Sequence, residues 1–228
     1  MKKLSQAIAL AGVMTAAAVP AVQAEVEVSA SAAVANMYLW RGQNLGSSDK
    51  DSGNAVPAIS GDINVSMSGA YAGVWTSSGD TAAGQEYDLY VGYGAEAGDF
   101  SYDLSVWTYI YPDGGKSDGT FGDGTDVILS LGYAGASFTY YKPIGSESDD
   151  NSSYYTLGYG IDAVSATLGK ADDGDGVDYT HLDLGYAYND NLSFTLSKVV
   201  GQSEKKNTDG AQDEDLKVVV TYSLPIEL

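Results

Sequence analysis

His181 and Asp183 share one parity of the alternating segment "YTHLDLGYAY" (179–188), a spacing at which an imidazole and a carboxylate on one strand face could pass a proton. The rest of a hydrolytic constellation is missing from the sequence. His181 is the single histidine, cysteine is absent, and no Gly-x-Ser-x-Gly nucleophile motif occurs. The plainer reading is a hydrogen-bonded pair facing an interior, with no enzymatic activity and no cofactor. Carboxylates alternate with glycine in "GDGTD" (122–126) and "DDGDGVD" (172–178), as they do in calcium loops. Neither has the full loop spacing or the terminal bidentate Glu, so solvated acidic loops are expected there and no metal site.

The elements that must carry these residues are strands. In "EYDLYVGYGAEAGDFSYDLSVWTYI" (86–110) apolar side chains recur at every second position through Tyr87, Leu89, Val91 and Tyr93, and again through Phe100, Tyr102, Leu104 and Val106. The same signal with Gly, Asp, Ser and Asn boundaries places strands near 27–41, 56–66, 70–77, 85–95, 100–111 and 125–133. Six more follow near 136–143, 153–161, 164–171, 178–188, 192–200 and 215–224. Connections alternate between short turns, such as Ala134-Gly135, and long acidic Gly-rich loops, such as "GQNLGSSDKDSGN" (42–54) and "GQSEKKNTDGAQDE" (201–214). An even strand count with short turns on one side and long loops on the other is the plan of an outer-membrane barrel. The expected fold is therefore all-β: a 12-stranded antiparallel transmembrane up-and-down β-barrel with short periplasmic turns and longer acidic extracellular loops. A soluble β-sandwich is the competing architecture, and it gives no reason for that alternation.

The N-terminus reads as an export signal over residues 1–24. Lys2 and Lys3 open it, an apolar run spans Ala7 to Val19, and Val22-Gln23-Ala24 supplies the small-residue cleavage site. Residues 25–228 are then one exported domain, expected in the bacterial outer membrane. Without the two leader lysines, nine basic residues face 31 acidic ones, a formal charge of −22 that excludes nucleic acid as a partner. With no cysteine, stability must come from packing and backbone pairing.

Parity sorts the side chains onto two faces. Arg41, Glu86, Asp88, Asp103, Trp107, Tyr109, Asp126, His181, Asp183 and Lys217 oppose the apolar faces of their strands and are expected to line a lumen. Arg41 takes this parity if Val34, Tyr38 and Trp40 face lipid. It is expected at the mouth near Asp49 and Asp51, either narrowing the opening or anchoring a loop. Gly92, Gly132, Gly158 and Gly185, with Ser101, Ser105 and Ser130, are expected to keep the lumen open. On the outer face, the late-strand tyrosines of the "VGY" and "LGY" runs, Tyr93, Tyr133, Tyr159 and Tyr186, are expected to form an aromatic belt at one membrane interface. Lys142, Lys170 and Lys198 share the parity of the apolar faces at the opposite rim, where lipopolysaccharide phosphates or plain solvent could meet them.

With the strands placed, "NMYLWRG" (36–42), "PAISGD" (57–62), "GAYAGVW" (69–75), "EYDLYVGY" (86–93) and "YIYP" (109–112) together resemble the TorF family of porins. The most telling residues are Tyr38, Trp40, Arg41 and Gly42 and the Gly-x-Trp pair Gly73 and Trp75. The chain departs from other barrels at its C-terminus, where Pro225 interrupts the last strand and Leu228 replaces an aromatic end. The resemblance implies an outer-membrane barrel with a pore role. Rings of carboxylates favour cations, so the expected activity is passive diffusion of small solutes with a cation preference, in contact with outer-membrane lipid and lipopolysaccharide. The alternative is a non-conducting structural or surface-interaction barrel whose lumen is plugged by inward aromatics.

Overall fold

The computed structural model of the protein describes residues 25–46, 56–80, 84–112, 121–145, 152–174, 177–203 and 212–226. The proposed leader lies outside them. Twelve strands close into one antiparallel barrel: β1 (Glu27–Ala35), β4 (Ala58–Met67), β5 (Ala70–Asp80), β6 (Gly84–Ala97), β7 (Phe100–Ile110), β8 (Gly124–Tyr133), β9 (Ala136–Pro143), β10 (Ser152–Ile161), β11 (Val164–Asp173), β12 (Tyr179–Ala187), β13 (Leu192–Gln202) and β14 (Lys217–Ile226). Two further strands, β2 (Leu39–Trp40) and β3 (Gln43–Asn44), form a separate small hairpin. Each barrel strand pairs with its sequence neighbour, and β1 closes the ring on β14 from Ala30↔Ile226 to Ala35↔Thr221.

Turn chemistry fixes the short-turn end. Ser68 and Gly69 have φ of 53° and 87°, and Ala134 and Gly135 have 48° and 87°. Two consecutive positive φ values make the type I′ geometry whose twist matches that of the flanking strands. The second position must be glycine in both turns. A Cβ on Gly69 would stand 2.6 Å from the Gly94 carbonyl oxygen, and one on Gly135 would stand 2.7 Å from that of Gly160.

The strands sort their side chains by the period-2 rule. Outward positions carry Val, Leu, Ile, Tyr and Phe; Val91 is 57% exposed and Leu104 is 54% exposed, although both sit in mid-strand. Inward positions carry Ser, Thr, carboxylates, glycines and a second set of tyrosines. A continuous apolar exterior of this kind is stable only against hydrocarbon. Tyr93, Tyr133, Tyr159 and Tyr186 all point outwards and are exposed, in the lower, short-turn half of the barrel. Lys142, Lys170 and Lys198 also have outward parity, close to the long-loop end.

One strand ends earlier than its alternation suggests. The apolar pattern runs to residue 41, but β1 stops at Ala35. Asn36 marks the end: its amide still donates to the Val220 carbonyl at 3.2 Å, while its side chain donates to the Val218 carbonyl at 2.9 Å and accepts from the Val220 amide at 2.7 Å, taking the place of later backbone rungs. The chain then leaves the wall. Arg41 and Gly42, with φ of 47° and 80°, form the two-residue turn of the β2–β3 hairpin. Tyr38, expected to face lipid, points into the lumen instead.

Leu104, flanked on the outer surface by Tyr93 and Leu129, sits near the middle of the apolar band. Leu104→Arg is expected to cost about 2–4 kcal/mol of folding stability in vesicles, against roughly 0–1 for Tyr133→Arg at the strand end. The check is urea titration read by the gel mobility of folded and unfolded barrel. A Leu104→Arg loss no larger than that of Tyr133→Arg would put the hydrocarbon band elsewhere.

Candidate functional site

The β2–β3 hairpin, with its flanks from residue 36 to 46, lies inside the barrel and reaches the wall in nearly every direction. Tyr38 donates its hydroxyl to Glu86 Oε2 on β6, and its ring lies 6.1 Å from that of Trp75 on β5. Arg41 Nη2 pairs with Asp126 Oδ2 on β8 at 3.1 Å. The Arg41 guanidinium also sits over Tyr141 of β9 at 5.1 Å and Tyr154 of β10 at 4.5 Å, with Trp40 of its own hairpin at 4.2 Å. The Arg41 carbonyl accepts from the Tyr179 hydroxyl of β12 at 3.0 Å, and Gln43 Oε1 accepts from the Asp213 amide just before β14 at 3.3 Å. The segment is a plug.

Arg41 is its anchor. A guanidinium in a low-dielectric interior needs an anion and stacked faces to replace its hydration. Asp126 supplies the charge, and Tyr109 donates to the same Oδ2 at 3.1 Å. Arg41 keeps its expected place near the long-loop end through Asp126, two residues into β8; Asp49 and Asp51, expected beside it, lie outside the described residues.

Behind the plug, His181 is fully enclosed. Its Nδ1 lies 3.0 Å from Asp183 Oδ1 and its Nε2 lies 2.8 Å from the Tyr154 hydroxyl, with the Tyr154 and His181 rings parallel within 3°. Gly42 closes over it, since a Cβ there would stand 2.6 Å from His181 Cβ and Cγ. The chain Asp183–His181–Tyr154 thus has the order of a proton relay but no open face for a substrate. It orients Tyr154 beneath Arg41.

A second network lines the β4–β7 side. The Tyr111 hydroxyl donates to Glu86 Oε1 at 2.7 Å, so both Glu86 oxygens accept from phenols. Burial first, and then the Glu86 charge, raises the phenols of Tyr38 and Tyr111 above their usual range. Asp88 lies beside Glu86 on the inward face, almost fully buried, with Oδ1 unpartnered. Tyr90 donates to Asp62 and Tyr71 to Asp103, each at 2.7 Å. Trp107 stacks on Tyr90 at 4.3 Å and 15°, and its indole N–H donates to Ser105 at 3.2 Å. Lys217 is inward and buried, held by the Asp213 carboxylate at 3.2 Å and by the carbonyls of Asp213 and Asp215.

The inward glycines do not hold space open. Gly73 lies across the ladder from Tyr90, Gly92 from Tyr71 and Gly169 from His181. In each pair the ring lies over the glycine, where an added Cβ would collide with Tyr90, Tyr71, or His181 and Tyr154 respectively. A Cβ on Gly132, Gly158 or Gly185 would meet the hydroxyl of Ser101, Ser137 or Ser165. Glycine here lets a neighbouring side chain lie flat against the wall. Tyr71, Tyr90 and Tyr154, so seated, and the inward Tyr141 and Tyr179 are not among the lumen residues expected from parity, although Tyr90 shares parity with Glu86 and Asp88. Above the plug, towards the long-loop end, a cavity of about 600 Å³ opens between Trp40, Arg41, Gln43, Tyr179, Asp213 and Lys217. Among the described residues, no cluster of three or more His, Cys, Asp or Glu could hold a metal ion.

Three solved outer-membrane proteins share the general shape at low similarity. Outer-membrane phospholipase A from Escherichia coli is 9% identical, with 87% of this chain and 90% of that one covered at a TM-score of 0.44. Pseudomonas aeruginosa OccK5 (OpdH) is 12% identical, with coverages of 89% and 68% at 0.40. Acinetobacter baumannii OccAB4 is 9% identical, with coverages of 77% and 56% at 0.39. At these values the architecture rests on the strand pairing above, and none of the three bears on activity. No curated protein matches the sequence. A family model does, under the description "Bacterial protein of unknown function (Gcw_chp)". It spans residues 20–225, nearly the whole chain, and the protein belongs to that family.

Proposed function

We propose that the protein is an outer-membrane porin of narrow bore that passes small solutes with a cation preference, and that residues 36–46 form its internal gate. The observation that carries this reading is the plug itself, a short hairpin hinged at Asn36 and held by one ion pair, Arg41–Asp126, with hydroxyl and ring contacts around it. The sign of the lumen supports the cation preference. Arg41 and Lys217 are both paired with carboxylates, while Asp62, Glu86 and Asp103 accept from tyrosine hydroxyls and Asp88 lies against the Glu86 carboxyl. The TorF resemblance and the apolar exterior fit the outer-membrane placement. Enzymatic activity is not part of this reading, because Tyr154 and Gly42 wall off His181.

A second reading, a plugged structural barrel, is favoured by the Trp107–Tyr90 stack and the ring-over-glycine pairs, which add aromatic bulk to the inner wall.

Planar-bilayer recordings separate the two. Wild-type protein is expected to show low conductance with brief openings. The paired change Arg41→Ala with Asp126→Ala, which leaves no buried charge unpartnered, is expected to raise mean conductance several-fold. Silence from both proteins, each verified as folded by its heat-dependent gel mobility, would establish the plugged barrel instead.

Selectivity gives an independent check. Under a potassium chloride gradient the reversal potential is expected to have the cation sign and to move towards zero in the Glu86→Gln/Asp88→Asn variant. An anion-signed potential in the wild type would overturn the preference.

A further inference from the structure

The outer face of the barrel is uncharged except in one sector. Among strand residues with outward parity in the described chain, the charged ones are Lys142 on β9, Lys170 and Asp172 on β11, and Lys198 on β13. The other half of the wall, β1 and β4 to β8, carries none. In a chain of formal net charge −20, three lysines gathered on one outer sector near the long-loop rim are a pattern that asks for a ligand. A lysine facing acyl chains lies along them and brings its ammonium to the headgroup level.

Strand register shows that the three stand at one height. Carrying the β9–β10 pairing one residue past Tyr154↔Tyr141 sets Lys142 across from Ser153, which pairs with Asp172 on β11. Lys170 lies two residues down the strand from Asp172. Lys170 pairs with Thr180, which pairs with Gly201 on β13, and Lys198 lies three residues down from Gly201. Barrel strands tilt by about 35–45°, so two strand widths of about 10 Å require a downward step of roughly 8 Å, or about two to three residues, to stay level. The observed steps match in size and direction. Lys142, Lys170 and Lys198 therefore form a row parallel to the membrane plane, at intervals of about two strand widths.

Lys170 and Lys198 are exposed to lipid, while Lys142 is half-buried and donates to the Ser152 carbonyl at 3.1 Å. Their outer-face neighbours are Val127 beside Lys142, Tyr155 and Thr180 beside Lys170, and Leu182 beside Lys198, none of which carries a charge. Asp172, the one carboxylate with outward parity among the described strand residues of the sector, stands above Lys170 and accepts from the Gly174 amide at 3.4 Å.

We infer that the row Lys142–Lys170–Lys198 binds the phosphate groups of the outer-leaflet glycolipid, lipopolysaccharide, along the β9–β13 sector. The inference rests on the outer-membrane placement, with the long loops outside, and is independent of conduction. Several ammonium groups at one depth suit a lipid that carries more than one phosphate, whereas a single-phosphate phospholipid engages one ammonium at a time.

The test uses the full mature chain refolded into phosphatidylcholine vesicles containing lipopolysaccharide, dephosphorylated lipopolysaccharide or phosphatidylglycerol. The readouts are glycolipid retained on the purified barrel and the heating midpoint of its gel-mobility shift. Lipopolysaccharide is expected to raise the midpoint and to co-purify, its dephosphorylated form to do neither, and phosphatidylglycerol to have less than half the effect. Lys142→Gln/Lys170→Gln/Lys198→Gln is expected to lower retention at least tenfold, and the corresponding triple Arg variant to preserve it. The single variants Lys170→Gln and Lys198→Gln, each expected to lose retention in part, decide the matter if the triple Gln protein does not fold. Retention unchanged by these substitutions, or an equal response to phosphatidylglycerol, would overturn the inference. Conductance recorded on the same preparations separates this outcome from failure of the porin reading.

Discussion

A backbone amide facing hydrocarbon without a partner costs several kilocalories per mole, and this constraint organises the molecule. Closing β1 on β14 leaves the barrel wall no unpaired edge. Once the ring is closed, period-2 alternation gives each strand one face for lipid and one for the lumen, and the choice of residue on each face follows. The exterior takes Val, Leu, Ile and ringed side chains; the interior takes what the exterior cannot.

The interior is not simply wet. Its carboxylates are shared out among tyrosine hydroxyls, as at Asp62 with Tyr90, Asp103 with Tyr71, and Glu86 with Tyr38 and Tyr111. A phenol is a suitable partner because it donates a hydrogen bond without adding positive charge, so the acidic character of the lumen survives while these three carboxylates keep partners. Arg41 acts differently. It sets a full positive charge against Asp126 on the wall, and it brings the chain with it.

The strand count, the closure and the lipid face were legible in the sequence because they depend on local alternation and on turn residues, both of which a single chain displays. The length of β1 was not. "NMYLWRG" continues the apolar alternation past Ala35, and the strand ends there where the Asn36 side chain takes over the bonds to β14, a partner 182 and more residues away. The Arg41-Gly42 pair was a local turn signal, masked by that alternation. The expected spacer glycines fail for a related reason: Gly92 looks like a vacancy until the register sets Tyr71 opposite it, and Gly132, Gly158 and Gly185 until Ser101, Ser137 and Ser165 lie over them. Parity can assign Glu86, Asp88, Asp103 and Asp183 to the interior, but it cannot say what they touch, since those partners come from other strands.

Asn36 joins two parts of the molecule that are usually separate. Its side chain bonds β14 at the seam, and the residue also begins the hairpin that fills the lumen; Gln43, seven residues on, meets Asp213 at the approach to that same last strand. The docking points of the hairpin on this side do not exist until the final strand arrives. The seam that closes the wall thus also holds both ends of the segment that fills the lumen, at Asn36 and at Gln43.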